Sequence, residues 1–285
     1  MEAAGGVTAV DPRIADGTFV EVRGTRTHVH AAGSGPPLVM IHGSGPGVSA
    51  WANWRLALPY LAERGIRAYA YDIVGFGYTA REPGKRYGID DWVQQCVAFL
   101  EDVVREPAML LGNSLGGGIA LRIATEHPKL VTKMALMGSI GIPHQITPGL
   151  DAVWGYTPSL AGMRKLIVDD FVYNAALATD DLVRMRHEAS IQPGFQESYS
   201  ALFPAPRQRW VDQLVVSDDR LRHVAVPTLL FHGREDRVIP LACSYRLLDL
   251  IPNAELHVFG QCGHWTQVEK AAAFNALCAH FFAGG

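Results

Sequence analysis

The chain has 285 residues, 48% of them hydrophobic and 19% charged, which suits one sizeable globular core with an elaboration. A net charge of −3 offers no attraction to nucleic acid or an anionic membrane surface, and no apolar run reaches the length of a membrane span. Cys96, Cys243, Cys262 and Cys278 show no metal-type pairing and read as reduced thiols of a cytoplasmic protein.

The first residues, MEAAGGVTAVDPRIADG, lack a basic start followed by an apolar block, so no secretion signal is expected. TFVEVR and THVHAA form an expected hairpin, and His28 and His30 in the second run read as strand histidines without a third ligand for a metal. PLVMIHG is the next strand, followed by a helix from about Trp51 to Glu63, the strand IRAYAYD and a helix over Asp90–Val104. AMLLGN runs into a helix after Ser114, and KMALMG is a further strand. From Ile142 to about Arg209 no strand is convincing; helices are expected in DAVWGYTPSLAGMRKLIVDDFVYN and DDLVRMRHEASI. The strand VPTLLFHG, a helix near Leu241–Leu250, the strand AELHVFG and a last helix from about Thr266 to Phe282 complete the chain. Alternating strands and helices predict a mostly parallel eight-stranded sheet flanked by helices. The interruption predicts a helical lid, 142–209, inserted after the sixth strand into a core made of 1–141 and 210–285.

Four glycines crowd around Ser114 in LLGNSLGGGIAL. Gly112-Asn113-Ser114-Leu115-Gly116 is G-x-S-x-G, a strand-to-helix turn so tight that side chains at its glycines would collide with strand or helix. It lifts the serine hydroxyl to a helix N-terminus, where free N–H groups favour negative charge. Gly117 and Gly118 are expected to let the helix pack close to the sheet. The cluster MGSIG around Ser139 lacks the spacing.

A serine hydroxyl needs a base, and the base needs an orienting acid. In this kind of architecture the chain order is serine, acid, histidine. REDRVIP offers Glu235 and Asp236 just past one strand, and QCGHW offers His264 just past the next. Spacing alone does not separate the two acids; Asp236 is favoured. His257 lies within a strand and His280 on the last helix, while His42 and His232 precede glycines and read as backbone supports. Negative charge developing on an attacked carbonyl oxygen needs two N–H donors. One is expected from Leu115, the other from the glycine-rich loop HGSGPGVSAWANW, at Ser44, with Gly43 the near alternative.

HGSGPGVSAWANW, GNSLGGG, DAVWGYTPS, EASIQPGFQES, GREDRVIP and QCGHW together resemble the meta-cleavage product hydrolases, in particular those handling products of single-ring aromatics, within the α/β-hydrolase superfamily. The resemblance covers nearly the whole chain, lid included. It implies an α/β-hydrolase fold and a homo-oligomer; the triad itself requires no metal and no organic cofactor. It implies hydrolysis of the C5–C6 bond of a 2-hydroxy-6-oxohexa-2,4-dienoate to 2-hydroxypenta-2,4-dienoate and a small carboxylic acid. His264 would move a proton to C5 before Ser114 attacks C6. Arg186 matches the family's carboxylate-binding arginine, Asn53 and Asn113 its polar pocket residues, and Phe171 and Trp265 its apolar residues beside the dienoate. Ile140, Trp154, Val238 and Ile239 are the candidates for the pocket around the C6 group. The bulk of Ile140 implies small C6 groups rather than phenyl.

An ordinary carboxylesterase or perhydrolase would share the triad, but Arg186 with two asparagines suits an anionic dienoate. Dehalogenases and epoxide hydrolases place Asp at the elbow, which Ser114 disfavours. A non-catalytic small-molecule receptor on the same fold would keep its role without Ser114.

Overall fold

The computed structural model describes residues 15–82 and 84–284; the N-terminal stretch through Ile14 lies outside them. Eight strands form one sheet: β1 (Thr18–Val22), β2 (Thr25–Ala32), β3 (Pro37–Ile41), β4 (Arg67–Tyr71), β5 (Ala108–Asn113), β6 (Val131–Met137), β7 (Thr228–Gly233) and β8 (Ala254–Phe259). Their order is β1-β2-β4-β3-β5-β6-β7-β8. β1 and β4 both pair antiparallel with β2, and every other pairing is parallel. β3, β5 and β7 are buried along their whole length, as central parallel strands covered on both faces must be. The strand order reverses at β3, between β4 on one side and β5 on the other, and open parallel sheets bind ligands at the carboxyl ends around such a point.

The helix expected over 51–63 is two: α1 (Ala50–Trp54) and α2 (Leu58–Ala62). Pro59 has no N–H to donate to the carbonyl of Arg55, so a continuous helix would lose a rung there; Pro59 instead sits in the first turn of α2. α3 (Ile89–Phe99) widens into a π-helical turn over Leu100–Val104, and Arg105 closes it in a left-handed conformation. α4 (Leu115–Glu126) follows β5 directly.

Between β6 and β7 the chain is helical, as α5 (Pro148–Trp154), α6 (Leu160–Leu166), α7 (Asp180–Ser190), α8 (Phe195–Leu202), α9 (Gln208–Gln213) and α10 (Asp218–Arg222). α9 runs through position 209, where the sequence suggested a boundary. Thr147, Ser159 and Thr179 cap α5, α6 and α7 with their hydroxyls, each accepting a backbone N–H from the first turn. α11 (Leu241–Leu250) matches its expected span. The last helix is again two, α12 (Thr266–Glu269) and α13 (Ala271–Ala283), because Lys270 leaves helical dihedrals; no glycine or proline announces this break.

Candidate active site

Ser114 stands between β5 and α4 with φ 53° and ψ −111°, a conformation non-glycine residues rarely hold. Its amide donates to Met137 O at 2.8 Å, which ties the turn to β6. A Cβ on Gly116 would stand 2.1 Å from Ile41 O, and one on Gly112 2.5 Å from Gly116 O. Gly117 is equally required, since a Cβ there would meet Ser139 Oγ at 2.3 Å. Gly118 is not: its nearest neighbour, Ile140 O, would lie at an ordinary 3.5 Å, so close packing does not explain that glycine.

Past β8, His264 directs Nδ1 to Asp236 Oδ2 at 2.7 Å. Asp236 follows β7 and is held in turn by Val238 N (2.8 Å) and Ile239 N (2.9 Å) on Oδ1. Burial alone would raise the pKa of Asp236, but His264 and His232 facing it hold the carboxyl well below its usual range. Glu235 turns the other way, accepting from Arg234 and from Cys262 N. The geometry thus separates the two acids that spacing could not.

Ser114 and His264 face one cavity whose wall also includes Gly43, Ser44, Asn53, Asn113, Phe171, Arg186, Val238 and Trp265. Gly43 lies against the elbow: a Cβ there would stand 2.8 Å from Asn113 Oδ1 and 3.3 Å from Ser114 Cβ. Ser44 Oγ accepts from Trp154 Nε1 at 2.9 Å, and its carbonyl accepts from Tyr199 OH at 3.1 Å, so the loop after β3 is tied to α5 and α8. Leu115 opens α4 immediately after Ser114 and is fully buried.

Arg186 comes from α7 and is 6% exposed. One guanidinium nitrogen donates to Pro46 O at 2.9 Å, while Nε has no partner. No carboxylate of the described residues pairs with it. Burial, and then the like charge of Arg55, pull its pKa down to about 10. Asn53 Nδ2, on α1, is likewise buried without a partner. The guanidinium lies 5.6 Å above the Trp265 ring, which stacks on Phe171 at 4.6 Å. Glu269 fastens this wall, accepting from Gly263 N, Tyr173 N and Asn174 N at 2.6–3.0 Å.

Three residues expected on the C6 side are not part of the cavity wall. Ile140 is fully buried, its N–H on Ser114 O. Trp154 stacks on Phe203 at 4.2 Å and reaches the site only through its bond to Ser44. Ile239 acts through its backbone, holding Asp236. Leu150 and Val153, one turn apart on α5, line the cavity together with Val238. Arg55 and Gln267 also line the cavity and were not foreseen; Arg55 is two residues beyond Asn53, a signal that could have been read, whereas nothing marks Gln267. His232 was read as a backbone support, yet its ring also reaches the acid.

A model of the α/β-hydrolase fold family matches residues 36–271, and the chain belongs to that family. Within it the chain is a meta-cleavage product hydrolase. It is 52% identical to a 2-hydroxymuconate semialdehyde hydrolase of Pseudomonas sp. strain CF600 over 94% of both chains. It is 48% identical to a 2-hydroxy-6-oxo-2,4-heptadienoate hydrolase of Pseudomonas putida, covering 94% of this chain and 96% of the relative. A solved meta-cleavage product hydrolase from Pseudomonas fluorescens IP01, a serine-to-alanine mutant complexed with acetates, superimposes with a TM-score of 0.91. It shares 49% identity over 94% of this chain and 97% of the other.

Proposed function

We propose that Ser114, His264 and Asp236 form the catalytic triad of this enzyme, with Leu115 and the Gly43–Ser44 loop supplying the oxyanion donors. The enzyme hydrolyses the C5–C6 bond of 2-hydroxy-6-oxohexa-2,4-dienoates, giving 2-hydroxypenta-2,4-dienoate and a carboxylic acid. A carbanion is a poor leaving group. A proton delivered to C5 turns the dienol into a ketone, so the departing electron pair can spread into a carbonyl. His264, held by Asp236, is the group placed for that transfer, and Ser114 faces the same cavity for attack at C6. Helices α5 to α8 act as the lid, and the substrate carboxylate spans from it to the core.

The observation that carries this reading is a cavity joining Ser114 and His264 to two buried donors without partners, Arg186 Nε and Asn53 Nδ2. An unpaired buried donor is costly, and a carboxylate is the ligand that relieves two at once. Leu150, Val153 and Val238 line the C6 side and favour a small apolar group. The two relatives named above carry hydrogen and methyl there by their substrate names.

The test sets the yellow dienoates beside a neutral p-nitrophenyl ester. Fading of the dienoate colour with a kcat/KM at least about 100-fold above that for the ester is expected, since one buried charge pair contributes that much. Faster ester hydrolysis would assign a carboxylesterase.

A further inference from the structure

His232 is the penultimate residue of β7, before Gly233, and its ring is wholly buried. Nε2 lies 3.0 Å from Ile239 O and 3.3 Å from Asp236 Oδ2. Both are acceptors, so this nitrogen carries the hydrogen and donates to them. Nδ1 then accepts from the hydroxyl of Ser244, 2.7 Å away on α11 and itself buried. Asp236 is consequently surrounded by four donors: two amides on Oδ1, and the rings of His264 and His232 on Oδ2.

We propose that His232 is a positioning residue of the triad: its Nε2–H, oriented by Ser244, shares Asp236 Oδ2 with His264 and so sets the direction and strength of the carboxylate's hold on the His264 ring. The inference rests on the triad reading above. A second donor on Oδ2 keeps the carboxylate from rotating away from His264. It also draws negative charge from the oxygen. Without it, Asp236 grips a protonated His264 more tightly, and the proton is harder to pass to substrate. The carboxylate end of the pocket, at Arg186 and Asn53, is untouched.

Other titratable groups surround the pair. Cys243 on α11 and Cys262 before His264 are buried thiols pushed up to about 12. Glu235 faces Arg234, Glu269 faces the backbone of Gly263, and Arg186 stands across the cavity. Asp170, raised to about 6 chiefly by burial, precedes Phe171 and titrates in the range of interest. None of these makes a hydrogen bond or ion pair with His232, so their effect is common to parent and variant.

Three variants decide the matter: His232→Leu, which removes the donor; His232→Gln, which returns an amide N–H; and Ser244→Ala, which frees the ring tautomer. The readouts are the pH profile of kcat/KM, KM for the dienoate, and the titration of the His264 ring nitrogens by 15N NMR without substrate. In His232→Leu, kcat falls about tenfold and the acid limb moves up by about half a pH unit, while KM stays within about twofold. The His264 titration moves by the same amount. His232→Gln recovers most of the loss, and Ser244→Ala falls between. A merely structural role would lower the active fraction and leave limb and titration in place; that result, or His232→Gln behaving as His232→Leu, overturns the proposal. If His232→Leu does not fold, the other two variants carry the test. The NMR titration needs no turnover, so it stands apart from any failure of the dienoate assay.

Discussion

Ser114 and Arg186 do opposite things with their burial. The serine is almost enclosed, yet its strained backbone turns the hydroxyl into the cavity. Ser114→Ala is expected to lower kcat by about 10³-fold or more, while the dienoate still binds, visible as a shift of its absorbance. The arginine is enclosed with its charge unmatched by any carboxylate of the described residues. Arg186→Gln removes that charge and is expected to raise KM by about 10- to 100-fold with a smaller change in kcat, checked by steady-state kinetics on the dienoate. The positions of the proposed triad could be named from the chain because strand ends and the elbow spacing mark them. The choice of Asp236 over Glu235 could not, since it depends on which carboxylate turns inward past β7. Ile140 does not line the cavity, because adjacency to a strand end does not say which side chains reach the pocket.

Elements were legible where periodicity was uninterrupted and illegible where a helix broke without a glycine. Every strand lies where alternation and β-branching placed it, whereas Pro59 and Lys270 each divide what one apolar pattern had joined. The elbow leaves least room. Gly116→Ala would force a methyl against Ile41 O, and a loss of more than about 3 kcal/mol is expected by denaturant unfolding. The π-helical turn at Ile167–Phe171 carries a pH signature through Asp170. Its folded pKa, raised to about 6 by burial and then by Asp169, exceeds the usual value of about 3.9 in an unfolded chain. The protonated carboxyl therefore contributes stability fully below about pH 4, and that contribution is lost as pH rises through about 6. Asp170→Asn is expected to raise Tm at pH 8 and leave it unchanged near pH 4, in thermal scans of parent and variant.

At the scale of the whole molecule, the site is assembled from the sheet's carboxyl edge below and from a helical segment above. Composition and alternation announced both layers, but the place of α5 in the cavity wall follows only from tertiary packing. Leu150 and Val153 sit one turn apart on α5 and, with Val238, give the proposed C6 wall an apolar surface. A methyl-bearing dienoate is expected to exceed its phenyl analogue by about tenfold or more in kcat/KM, as one poorly fitting group costs 1–3 kcal/mol (about 10- to 200-fold). The unmatched guanidinium of Arg186 has a consequence for handling the protein. A bound carboxylate would offset that interior charge and shift the equilibrium toward the folded protein. Formate or acetate in the storage buffer should therefore prolong shelf life more than chloride at equal ionic strength.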